Sequence, residues 1–155
     1  MAADPAGSSS GPTHGIGSRR EARGGALHPL YEAEAKSLDP ADLLATLPLE
    51  PEPFTIELVE GVSAHLGEID AAITTRAVGW PIERMPSLDR AVLRLATFEL
   101  LHRPDIPAAA TINEAVELAK TFSTDDSGKF VNGVLSSVAR DARGAAGGPE
   151  GVGGG

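Results

Sequence analysis

Two short stretches of this 155-residue chain carry side chains suited to recognition. The first is Arg19-Arg20-Glu21-Ala22-Arg23, followed at Tyr31 by the chain's one tyrosine. The second is Asp125-Asp126-Ser127-Gly128-Lys129-Phe130-Val131-Asn132-Gly133. Guanidinium forks pair with phosphates and aromatic rings stack on unpaired bases, so the combination fits contact with single-stranded nucleic acid. Phe130 and Tyr31 fit a hydrophobic core equally well, and Trp80, between Gly79 and Pro81, reads as a packing plug. Groups that make or break bonds are harder to find. His14, His28, His65 and His102 share no i, i+4 spacing of the kind that binds metal on one helix face. No glycine-rich nucleotide loop occurs, and no serine sits in the strand–turn–helix context of a nucleophile elbow. The carboxylates are scattered over what should be solvent faces. With no cysteine in the chain, disulfides, thiolate metal centres and cysteine nucleophiles are excluded, and a reducing compartment is expected. The residues favour a binding protein over an enzyme.

Charge narrows the kind of binding. Against 13 basic residues stand 22 acidic ones, a net charge of −9, which argues against indiscriminate attachment to nucleic acid. Ten acids and only Lys36 as a base lie between Glu32 and Asp70. The arginines of residues 19–23 therefore form a short basic entry to an acidic body.

These side chains need elements to hold them, and the apolar spacing is helical throughout. Gly/Pro/Ser-rich stretches at 1–17 and 144–155 lack the apolar side chains that offset ordering entropy and read as disordered tails around one helical domain, 18–143. Ser18 is a candidate N-cap for a first helix running toward Lys36, with Leu27, Leu30 and Tyr31 on one face. Gly24 and Gly25 cost about 1 kcal/mol each relative to Ala, and an interior Pro29 about 3 kcal/mol, so a break or kink is predicted between residues 25 and 29. Asp39-Pro40 opens a short helix through Leu47. From Phe54, the spacing of Leu58, Val62, Leu66, Ile69 and Ile73 predicts one amphipathic helix, or two broken near Gly67. Ser87 can cap the next, with Leu88, Val92, Leu95, Phe98 and Leu101 as its buried stripe. Thr111-Ile-Asn-Glu114 matches a capping box. Asp125, Asp126 and Ser127 start a last helix containing Phe130, Val131, Val134, Leu135 and Val138. No segment alternates with period two. The expected fold is all-α, with six or seven helices. No apolar run reaches the ~18 residues of a membrane span and no signal peptide is present, so a cytoplasmic protein is expected.

In the C-terminal half, three blocks resemble the NusB family of bacterial transcription antitermination factors. They are Leu93-Arg-Leu-Ala-Thr-Phe-Glu-Leu100, Ile112-Asn-Glu-Ala-Val-Glu-Leu-Ala-Lys120 and Ser127-Gly-Lys-Phe-Val-Asn-Gly-Val-Leu135. Val59-Glu-Gly61, Ile69-Asp70, Trp80 and Arg84 stand upstream in the family's order. The resemblance implies two packed helical subdomains and binding of boxA RNA in ribosomal RNA leader transcripts. It also implies partnership with the ribosomal protein NusE and entry into the RNA polymerase antitermination complex, without catalysis or a cofactor. By position, it places RNA contacts at Arg19, Arg20, Arg23, Tyr31, Asp126, Lys129, Phe130 and Asn132, and the NusE face at Glu83 and Asp89. The first helix departs from the family's pattern, with Gly24 where an acid is usual and Pro29 in the interior. Two other readings fit the same helices: a protein–protein adaptor, and a stand-alone relative of the N-terminal module of rRNA methyltransferases.

Overall fold

The structure is a computed structural model that describes residues 16–144. Most of residues 1–17 and 144–155, read above as tails, lie outside the described residues. Seven α-helices and no strand are present among the described residues: α1 (Ile16–Ala35), α2 (Pro40–Leu44), α3 (Pro53–Ala64), α4 (Leu66–Arg76), α5 (Ser87–His102), α6 (Ala108–Phe122) and α7 (Asp125–Ala139). Helices α1–α3 pack on one another, α4–α7 do the same, and α5 touches both groups. The expected all-α fold of two packed helical subdomains is thus observed.

Because α5 has neighbours on both sides, its burial exceeds the single stripe expected. Ala91, Leu93, Ala96, Thr97, Glu99 and Leu100 are buried as well as Val92, Leu95 and Phe98. The far end of α5 is closed by Arg143, whose guanidinium donates to the carbonyls of Glu99, Leu100, Arg103 and Ile106. Glu99 and Leu100 belong to the last turn of α5, Arg103 and Ile106 to the connection behind it, so one guanidinium ties the helix end to the segment that follows. Burial pushes the Arg143 guanidinium below its ordinary value.

Several helix boundaries differ from the sequence reading. Ser18 lies inside α1 rather than capping it, because the helix already begins at Ile16. Of the break or kink expected at 25–29, the break does not occur: α1 is one continuous helix with Pro29 inside it. Burial of Ala22, Ala26, Leu27, Leu30 and Ala33 holds the helix together through tertiary packing. The Thr55 hydroxyl adds a bond of 2.9 Å to the Ala22 carbonyl. Asp39 caps α2 as expected, its carboxylate accepting from the Ala41 amide at 2.9 Å, although α2 ends at Leu44 rather than Leu47. The break between α3 and α4 falls at His65, two residues before Gly67. Ser87 is the first residue of α5, not its cap. The capping box at Thr111–Glu114 is also absent, since α6 starts three residues earlier, at Ala108. Its two side chains are engaged elsewhere.

Gly24 and Gly25 of α1 should respond differently to alanine. A Cβ at Gly24 meets nothing within 4 Å, whereas one at Gly25 comes within 3.3 Å of the Thr55 hydroxyl oxygen. Gly24→Ala is expected to raise stability by about 0.5–1 kcal/mol, the helix-propensity difference. Gly25→Ala should gain less or lose, because Thr55 must yield. Urea unfolding of the two variants measures the contrast.

Candidate nucleic-acid interface

The residues expected to meet RNA divide into those left at the surface and those the fold has taken inward. On α1, Arg20 is exposed and makes a two-pronged bond to Glu114 of α6, at 2.9 and 2.8 Å. That bond, with the charge behind it, holds the Arg20 guanidinium above its ordinary value. Arg19 is half-buried beside it. Tyr31 is 41% exposed, enough to offer a ring face. Eleven residues of α-helix separate Arg20 from Tyr31, about 16 Å along the axis and within roughly 20° of the same direction.

Arg23 does not join them. It is 4% exposed, and its guanidinium lies against the Glu99 carboxylate in a two-pronged pair, both contacts 2.8 Å. The Thr111 hydroxyl donates to the same carboxylate at 3.0 Å. Arg23 is therefore a structural arginine fastening α1 to α5 and α6. Three residues from Arg20, it points about 60° away from it around the helix, toward the body rather than the flank. Sequence could not separate the two, since arginine is ordinarily exposed.

At the other end of the candidate surface, Asp125, Gly128, Lys129 and Asn132 of α7 face Asn113, Val116, Glu117 and Lys120 of α6 across an open groove of about 600 Å³. Asn113 adjoins Glu114, the partner of Arg20, so groove and basic helix meet on α6. Lys129 and Asn132 are exposed, as is Asp126 in the first turn of α7. Lys120 was not singled out from sequence; its apolar neighbours hid it, and only the packing of α6 on α7 brings it beside Lys129. The α7 N-terminus is set by Thr124, whose hydroxyl accepts from the Ser127 amide at 2.9 Å.

Phe130, one residue from Lys129, turns away from the groove. Its ring centre lies 4.5 Å from that of Trp80, tilted by 54°. Both rings are half-buried against the core, so Trp80 is the packing plug expected and Phe130 is its counterpart. On the other predicted face, Glu83 is exposed in a short 3₁₀ turn, Ile82–Arg84. Asp89 cannot share that face. It is 1% exposed and accepts a 2.9 Å bond from the Ser127 hydroxyl, tying the first turn of α5 to the first turn of α7.

Known proteins match this arrangement at both levels. The model of the NusB family matches residues 20–140. A protein of Kineococcus radiotolerans described as transcription antitermination protein NusB is 42% identical over 128 residues, covering 80% of this chain and 94% of its own. A solved structure of T. maritima NusB superposes with a TM-score of 0.72 at 36% identity, covering 79% of this chain and 90% of that one. A crystal structure of antitermination factors NusB and NusE in complex with double-stranded RNA gives 0.70 at 27%, covering 79% and 96%. A helical body of this topology, with the matched stretch spanning the arginine helix and the α6–α7 groove, belongs to the NusB family.

Proposed function

We propose that this chain binds boxA-like RNA of ribosomal RNA leader transcripts together with the ribosomal protein NusE, and so supports antitermination by RNA polymerase. The observation that carries this reading is the likeness to a NusB held with NusE and double-stranded RNA. Within it, Arg19, Arg20 and Tyr31 of α1 and Lys120, Lys129 and Asn132 of the groove are the RNA contacts, with Asp126 at the rim. Glu83 is the residue offered toward NusE. Arg23, Asp89 and Phe130 act indirectly, by fixing α1, α7 and Trp80.

In a chain of net charge −9, few cations are available to phosphates. If Arg19, Arg20, Lys120 and Lys129 each neutralise one, log affinity should fall against log salt with a slope of about 2–3, at roughly 0.7 per phosphate on a single strand. Lys129→Ala should lower that slope by about 0.7. Filter-binding titrations with boxA-like and scrambled RNA, each with and without NusE, test the proposal. Preference for boxA-like RNA that strengthens with NusE is expected. Equal, salt-insensitive binding of both RNAs would reject it in favour of the adaptor reading.

A further inference from the structure

Three side chains outside the RNA surface converge on one point. His65 occupies the break between α3 and α4, Glu68 lies in the first turn of α4, and His102 is the last residue of α5. Glu68 Oε1 is 2.9 Å from His102 Nε2 and 3.5 Å from His65 Nδ1. All three ligand atoms lie within 4.8 Å of one another. The two imidazoles stack with centres 4.0 Å apart, and the buried Phe98 ring backs them at 5.4 Å from His102 and 6.2 Å from His65. We propose that His65, Glu68 and His102 form a site for a zinc-class divalent cation.

The chemistry of the donor set selects the ion. Two imidazole nitrogens and one carboxylate oxygen suit zinc, whereas calcium and magnesium prefer all-oxygen sites. Around a tetrahedral zinc with bonds of about 2.0–2.1 Å, ligand atoms stand about 3.3 Å apart. The two contacts to Glu68 Oε1 bracket that value. Without a cation, Glu68 Oε1 shares a hydrogen bond with His102 Nε2 at 2.9 Å, while His65 Nδ1 stands off at 3.5 Å. A divalent ion drawn to all three ligand atoms leaves a fourth position to water, which the half-exposed setting allows. The field helps. His65 follows the last residue of α3 and His102 ends α5, so two negative helix termini meet here, while the positive start of α4 carries Glu68 itself. Stacking on Phe98 fixes the rings in advance, which reduces the entropy lost on binding.

Calorimetric titration of the full chain with zinc chloride, followed by cobalt(II) absorption spectroscopy, tests the site. One equivalent of zinc is expected to bind, and cobalt(II) should show the intense visible bands of a tetrahedral ion. His65→Ala, His102→Ala and Glu68→Gln, each confirmed folded by circular dichroism, should each weaken binding beyond the roughly 10–100-fold lost with an outer-sphere partner. The control His14→Asn, His28→Asn should bind as the parent does. No saturable binding, or binding unaffected in His65→Ala and His102→Ala, would overturn the proposal. Calcium binding as tightly as zinc would overturn it too.

Discussion

Arg23→Ala is expected to cost about 3–5 kcal/mol of folding stability, because it strands the Glu99 carboxylate in the interior without its counter-charge. Glu99 is fully buried, and with Arg23 gone the Thr111 hydroxyl is the one side-chain donor left to it. A single neutral donor does not compensate a buried anion. The pair as a whole is a different matter. Removing both charges, in Arg23→Met with Glu99→Leu, should restore most of the stability, since a buried ion pair often does no better than apolar side chains of its volume. Denaturant unfolding of the two single variants and the double variant gives the coupling directly. An RNA contact would behave otherwise: Arg23→Ala would leave unfolding nearly unchanged and reduce only the affinity for RNA. The double variant should instead bind RNA much as the parent does, with Arg20 still in place.

Gly61→Ala should also destabilise, against the propensity of its own helix. Alanine is the better helix former by about 1 kcal/mol. Yet a Cβ at residue 61 would lie 2.3 Å from two carbons of the Phe98 ring, well inside contact distance. Phe98 is buried, with His65 and His102 along its faces, so the ring has little room to retreat. A net loss of about 1–3 kcal/mol is expected, typical of an overfilled core. Shrinking the neighbour should relieve it: Phe98→Leu ought to cost less in the Gly61→Ala background than in the parent. Urea midpoints of the four proteins decide this. Gly128 offers a second case, since a Cβ there would lie 2.6 Å from Lys120 Cγ.

The sequence was most readable where local chemistry alone decides the backbone. Asp39-Pro40 marks its helix start because a carboxylate beside a proline suits the first turn whatever lies around it. The Leu/Val/Ile spacing from Phe54 to Ile73 marks helix for the same reason, though it left open whether one helix or two. Reading failed where tertiary partners overrule local preference. Pro29 looked like a break, but the apolar face of α1 keeps the helix whole. Thr111 and Glu114 looked like each other's partners; one bonds Glu99 and the other Arg20. Within the candidate interface, Arg19, Arg20, Tyr31, Lys129 and Asn132 stay accessible, while Arg23 and Asp89 are drawn inward by partners distant in sequence. The histidines show the same limit. His65 and His102 share no helical spacing because their neighbourhood arises from the packing of α3 and α4 on α5.

If Arg20 meets RNA as proposed, it does so already holding an anion, the Glu114 carboxylate. Glu114 is tethered through the fold, so it competes for the guanidinium at an effective concentration on the order of millimolar or above. A free nucleotide or a stray phosphate must displace that carboxylate with one contact and gains little by the exchange. A polymer that also engages Lys129 and Lys120 makes the exchange within an encounter already formed, where its phosphates too are present at high local concentration. On the proposed reading, the Arg20–Glu114 pair would set a threshold by length, discriminating a strand from its monomers before any base is read.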